Sequence, residues 1–212
     1  MSRRLPIYVA IDTSGSMYGE PIQSVNVGLQ AMTSALRQDP HALDSVALSI
    51  ITFDINVKEI LPLTPLEQLQ MPEIICPRSG PTYIGEALAL IVDRVKRDVV
   101  LSTENRKGDW RPMLFLMTDG SPSDIARFDE ILPRLKNCHF SKIVACAAGP
   151  KAKTEYLKQI TDTVVSLDTT DSTAFASFFK WVSASVEMRS GSIGAVSSDT
   201  LPPPPAEIQI VL

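Results

Sequence analysis

Cysteine and histidine are scarce in this chain, with three of the former and two of the latter in 212 residues. Cys76, Cys138 and Cys146 are odd in number, include no C-x-x-C and share no zinc-like spacing with His41 or His139. That argues against a disulfide scaffold and a zinc module, and predicts three reduced, mostly buried thiols. Long apolar runs are lacking too. None approaches the ~18 residues of a membrane span, and the run in MSRRLPIYVAID is short and broken by Asp12, unlike a signal peptide. The chain therefore reads as cytoplasmic. A basic excess is also missing: 20 Lys and Arg stand against 24 Asp and Glu, a net charge of −4. Nothing here recruits nucleic acid or an anionic membrane, and a weak acidic excess serves solubility. With 44% apolar and 21% charged residues the composition is that of a folded protein, neither disordered nor coiled coil. At ~100–200 residues per domain, one domain with a tail is expected.

What is present is an alternation of strand and helix. Residues 5–11 are apolar on both faces, as a central parallel strand should be. They run into the turn Asp12-Thr13-Ser14-Gly15-Ser16. Ile22, Val25, Leu29, Met32 and Leu36 then mark one face of a helix that Pro40 ends. Residues 46–53 form the next strand, and Asp54-Ile55-Asn56 turns into an antiparallel edge strand at 57–61. Residues 62–82, with five prolines, read as loop with a short helix at 65–70. Ile84, Leu88, Ile91, Val95 and Val99 mark a second amphipathic helix. A strand at 112–118 ends in Asp119-Gly120-Ser121-Pro122-Ser123-Asp124. Helices at 125–137, 152–160 and 172–188 and strands at 140–148 and 164–167 complete the series. The pattern predicts an α/β fold: a Rossmann-like, doubly wound, mainly parallel sheet with one antiparallel edge strand and helices on both faces. The expected division is a domain over 1–189 and a Pro-rich C-terminal tail over 190–212, whose apolar end at 208–212 either pairs as a strand or frays.

In open α/β sheets ligands bind beyond the carboxyl ends of the strands. Three polar clusters fall there: Asp12-x-Ser14-x-Ser16, then Thr82 in the Gly80-Pro81-Thr82 loop, then Asp119 in Thr118-Asp119-Gly120. They converge if the strands at 5–11 and 112–118 are neighbours. Two carboxylates and three hydroxyls form an all-oxygen donor set suited to a hard divalent cation such as Mg2+, Mn2+ or Ca2+. Each residue has a plainer reading: Asp12, Ser14, Ser16 and Thr82 as helix or turn caps, Asp119-Gly120 as an ordinary turn, Ser121 and Asp124 as caps of the helix at 125–137. Met17, Tyr18 and Tyr83 flank the site, as rim or as packing. Phe175, Phe178, Phe179 and Trp181, crowded on the last helix, read as core with one of them left for a contact surface.

Taken together, V-A-I-D-T-S-G-S-M, S-G-P-T-Y-I-G-E-A-L and L-F-L-M-T-D-G-S-P resemble the metal-ion-dependent adhesion site of von Willebrand factor A domains, over about residues 5–188. Asp12, Ser14, Ser16, Thr82 and Asp119 fill all its positions. The Asp119–Asp124 segment is similar to that of the von Willebrand A proteins of bacterial tellurium-resistance gene clusters. The resemblance implies a non-enzymatic interaction module in tellurium resistance or stress response. Ser14, Ser16 and Thr82 would hold the ion directly, and Asp12 and Asp119 through water. A protein partner would supply a Glu or Asp carboxylate at the open position; a kinase or metal-dependent phosphatase of the same gene cluster is the candidate. It also implies a last helix able to shift as the metal shell closes.

The main enzymatic alternative is a Mg2+-dependent phosphotransferase-like hydrolase using Asp12 as nucleophile. Ser14 stands where the D-x-D-x-T pattern of such enzymes needs a second Asp. Asp12-Thr13-Ser14-Gly15 breaks the D-T-G order of aspartic proteases. Neither a phosphate-binding glycine motif nor a Ser-His-Asp set is present. A metal kept for stability alone is the third reading, and it predicts no open ligand position.

Overall fold

Strands that read as apolar on both faces lie at the centre of a sheet. The structure, a computed structural model, describes residues 3–78, 80–149, 152–167, 172–191 and 201–211. In β1 (Leu5–Asp12), β2 (Val46–Phe53) and β4 (Met113–Thr118) every residue is buried. With β3 (Val57–Pro65), β5 (Lys142–Ala148), β6 (Val164–Leu167) and β7 (Ile208–Ile210) they make one sheet in the order β3-β2-β1-β4-β5-β6-β7. The five inner strands are parallel, and both edges, β3 and β7, are antiparallel. The edge β3 carries exposed Pro62 and Pro65, which suit a strand that need not donate to a further neighbour.

Helices cover both faces. α1 (Glu20–Gln38) and α6 (Ser172–Gly191) pack with α2 (Pro40–Ser45) on the face that carries Ile7, Val9 and Ile11. α3 (Ile84–Asp98), α4 (Ile125–Lys136) and α5 (Thr154–Ile160) cover the face that carries Tyr8 and Ala10. The residues expected on the inner face of α1, Ile22, Val25, Leu29, Met32 and Leu36, are all buried. Pro40 does more than end α1. It occupies the first turn of α2, and Asp39 caps that helix by accepting from Ala42 N at 2.7 Å. The helix expected at 65–70 is only a turn. Leu66 N bonds Val46 O at 2.9 Å, so the chain is still tied to the sheet where a helix would have to begin.

All four aromatics of α6 are buried, contrary to the expectation that one would mark a contact surface. Gly28 on α1 makes room for one of them, since a Cβ built there would lie 2.2 Å from the Phe179 ring. Trp181 is covered from the other side by the tail: its Nε1 donates to Pro202 O at 2.8 Å, and Leu201 packs on the same core. Beyond the prolines, Ile208, Gln209 and Ile210 pair with Leu167, Ser166 and Val165. Of the two fates left open for the chain end, pairing on its own sheet is the one observed. Strand order reverses between β1 and β4, and their register places Ile11 beside Met117, so the last residues of the two strands, Asp12 and Thr118, lie side by side. This reversal is where a doubly wound sheet opens a crevice.

Candidate metal centre

Asp12 ends β1 with no solvent exposure. Its Oδ1 accepts from Ser14 N at 2.7 Å and its Oδ2 from Thr118 Oγ1 at 2.5 Å. The first bond folds the chain back on itself after the strand. A single 3-10 turn, Gly15–Met17, follows, and Gly19, at φ +93°, turns the chain into α1. Ser14 sits at the cap position of that turn, yet its side chain makes no capping bond. Its hydroxyl lies 3.3 Å from Ser16 Oγ and 3.5 Å from Asp119 Oδ1. The capping reading of Ser14 therefore fails: the side chain faces the other predicted site residues.

Thr82 is not the cap of α3 either, because Tyr83 occupies that position. The Thr82 hydroxyl packs against the Asp119 loop, where a Cβ built on Gly120 would lie 3.2 Å from Thr82 Oγ1. All five predicted residues thus meet at the β1–β4 crevice, with Ser16 exposed, Asp119 half-buried and Asp12, Ser14 and Thr82 buried. Of the flanking residues, Met17 is core, while Tyr18 is half exposed with the Arg78 guanidinium 5.8 Å from its ring.

The electrostatics are unfavourable without a cation. Burial pushes the Asp12 carboxyl up to about 6, and the Asp119 charge adds to this; hydrogen bonds from Thr118 and Ser14 pull the other way. Among the described residues no Lys or Arg forms an ion pair with Asp12 or Asp119. A buried carboxylate beside a second one needs a positive partner. The donors around the gap are oxygens only, and no group of three or more His, Cys, Asp or Glu occurs among the described residues. This chemistry fits a hard divalent ion and does not fit the nitrogen and sulfur sites zinc prefers.

Sequence reading missed the residues that brace these loops. Cys76 lies beneath the first loop, its Sγ donating to Thr13 O and Ser14 O at 3.1 Å each. Burial and the charges of Asp12, Asp54 and Asp119 push its thiol up to about 11, so it stays a neutral donor. Asp54, read only as a turn residue, accepts from Thr13 Oγ1 at 3.2 Å and from Asn56 N at 2.6 Å. Asp124 makes no side-chain cap for α4, the role expected of it. It caps α3 instead, accepting from Gly85 N at 3.1 Å and Glu86 N at 2.8 Å. No local spacing reveals a cap that acts across two loops.

The von Willebrand factor type A domain profile matches residues 7–180, and the chain belongs to that family, whose members are in general non-enzymatic interaction modules. No curated protein matches the sequence. Among solved structures, a von Willebrand factor type A protein from Catenulispora acidiphila is similar at TM-score 0.65 and 14% identity, over 88% of this chain and 43% of the other. Proximal thread matrix protein 1 from the mussel byssus, with a zinc-occupied metal-ion-dependent adhesion site, matches at TM-score 0.63 and 18% identity, over 86% and 48%. The pilus adhesin SpaC from Lactobacillus rhamnosus GG matches at TM-score 0.66 and 13% identity, over 89% and 30%. The chain thus spans less than half the length of each of these proteins. Among the described residues, no helix is long and apolar enough to cross a membrane.

Proposed function

We propose that this chain is a divalent-metal-dependent protein-interaction module that binds an acidic side chain of a partner protein. The observation that carries the reading is the meeting of two carboxylates and three hydroxyls, with no basic side chain among the described residues paired to the carboxylates. Ser14, Ser16 and Thr82 would hold the ion through neutral oxygens, with Asp12 and Asp119 behind them. Both Asp12 oxygens already accept short hydrogen bonds, which suits a residue acting from behind through water. When bound, an ion held mostly by neutral donors supplies an electron-poor centre that attracts an outside carboxylate. The mussel neighbour's zinc-occupied site supports an ion in this place without choosing it. The oxygen-only set favours Mg2+, with Mn2+ or Ca2+ as substitutes. The burial of Asp12 and the engagement of both its oxygens speak against its use as a nucleophile.

The reading extends to a setting. The Asp119–Asp124 segment supports a role in bacterial tellurium resistance or stress response, with a kinase or metal-dependent phosphatase of the same gene cluster as partner. Three free cysteines, two of them buried, favour the cytoplasm. Residues 1–189 would form the interaction domain and 190–212 a Pro-rich tail, of which Pro202 and Ile208–Ile210 return to the domain. A partner captured in Mg2+ is expected to be released by EDTA. Asp119→Ala should weaken capture by about tenfold or more, with an unchanged circular dichroism spectrum. Capture that survives EDTA would refute the ion bridge.

A further inference from the structure

We propose that Ser123 and Asp124 are positioning residues for Thr82: they tie the backbone on both sides of it to the loop that carries Asp119, and so set where the Thr82 hydroxyl stands. This rests on the reading of the five-residue centre as a metal site.

Thr82 closes a long proline-containing connection between β3 and α3. A segment of that kind has many conformations to lose, and a neutral hydroxyl is a weak ligand unless it is held in place. Ser123 holds it at both backbone groups. Thr82 N donates to Ser123 Oγ at 3.1 Å, and Ser123 N donates to Thr82 O at 2.9 Å. Asp124 extends the tie past Thr82 by accepting from Gly85 N and Glu86 N, one carboxylate oxygen for each. A carboxylate at this place also favours the helix N-terminus electrostatically. The backbone carbonyl of Asp124 meanwhile starts α4, accepting from Phe128 N at 2.9 Å. One residue therefore begins two helices, α4 through its backbone and α3 through its side chain. Gly85 permits the approach, since a Cβ there would lie 2.4 Å from Phe128 N. From the opposite side, Tyr83 N donates to Asp54 O at 3.2 Å, and Asp54 in turn holds Thr13. Thr82 is thereby fixed to both of the other loops that carry site residues. If the Asp119 loop moves, Thr82 moves with it.

The test is titration of the metal-stripped full chain with Mn2+ by calorimetry, together with amide exchange at Thr82. Ser123→Ala is expected to weaken Mn2+ binding by about tenfold and to speed exchange of the Thr82 amide. Ser123→Thr, which keeps the hydroxyl, should restore both to near the wild-type values. Asp124→Asn keeps one acceptor of two and should fall between them. The thermal midpoint of the metal-stripped Ser123→Ala protein should stay close to wild type, separating positioning from folding. Wild-type Mn2+ affinity in both Ser123→Ala and Asp124→Asn would overturn the positioning role alone. Absence of Mn2+ binding by the wild-type chain would overturn the metal-site reading and this role with it.

Discussion

Asp12→Asn is expected to make the metal-stripped protein more stable at pH 7 and to abolish metal binding. The Asp12 carboxyl is fully buried and raised to about 6, against an ordinary value of 3.8. Between those two values the folded state keeps a proton that the unfolded chain releases. The stability of the metal-stripped wild type therefore rises as pH falls from 6 to 4, and is flat on either side as far as this group is concerned. At ~1.4 kcal/mol per unit, the two-unit shift corresponds to about 3 kcal/mol of destabilisation at pH 7. Asparagine removes the charge and keeps the shape. Its amide oxygen can accept from Ser14 N and its NH2 can donate to Thr118 Oγ1, the two groups that hold Asp12 now. The difference between variant and wild type in denaturant midpoint should thus be largest at pH 7 and vanish near pH 4. Saturating Mg2+ should restore the wild type and leave the variant unchanged, because only the wild type gains from mass action. A difference independent of pH would refute this account of Asp12.

Gly85→Ala is expected to destabilise the fold by about 3 kcal/mol or more, by overpacking at a place that cannot yield. The added methyl would stand 2.4 Å from Phe128 N, 2.8 Å from Arg127 C and 2.8 Å from Asp124 Oδ2. The first two are backbone atoms of α4, so relief requires moving a helix rather than a side chain. The displacement would also pull Asp124 off the start of α3. Gly80→Ala is the control: its Cβ would find only Asp54 Cβ at 3.8 Å, an ordinary contact. Chemical unfolding of the two variants side by side decides the matter. Equal midpoints would contradict the close approach of α3 and α4.

Much of this was legible in the sequence because burial leaves a strong pattern. Runs such as 46–53, apolar on both faces, have no place but the middle of a sheet, and the spacing of Ile22 to Leu36 has no place but one face of a helix. The five candidate ligands were legible for a different reason. Four of them sit at or just past the ends of β1 and β4, which are neighbours in the sheet, and Thr82 stands just before α3. What stayed hidden depends on contacts distant in the chain. Pro40 reads as a stop, yet it also opens α2, which Asp39 caps. Asp124 reads as a cap of the helix that follows it, and only the packing of α3 on α4 redirects its side chain. Four aromatics crowd one short stretch of α6, and nothing local announces that Pro202 returns to accept from Trp181 while Leu201 packs on the same core. Cys76 reads as an ordinary buried thiol, and only the fold places it beneath the Ser14 carbonyl.

If the proposed function holds, Asp12, Ser14, Ser16, Thr82 and Asp119 together bind a divalent ion. Isothermal titration of the metal-stripped chain with Mg2+, Mn2+ and Ca2+ tests it most directly, with the Ser14→Ala/Ser16→Ala double variant beside the wild type. Saturable heat is expected from at least one ion in the wild type and none in the variant. No heat from any ion, or the same heat from both proteins, would contradict it.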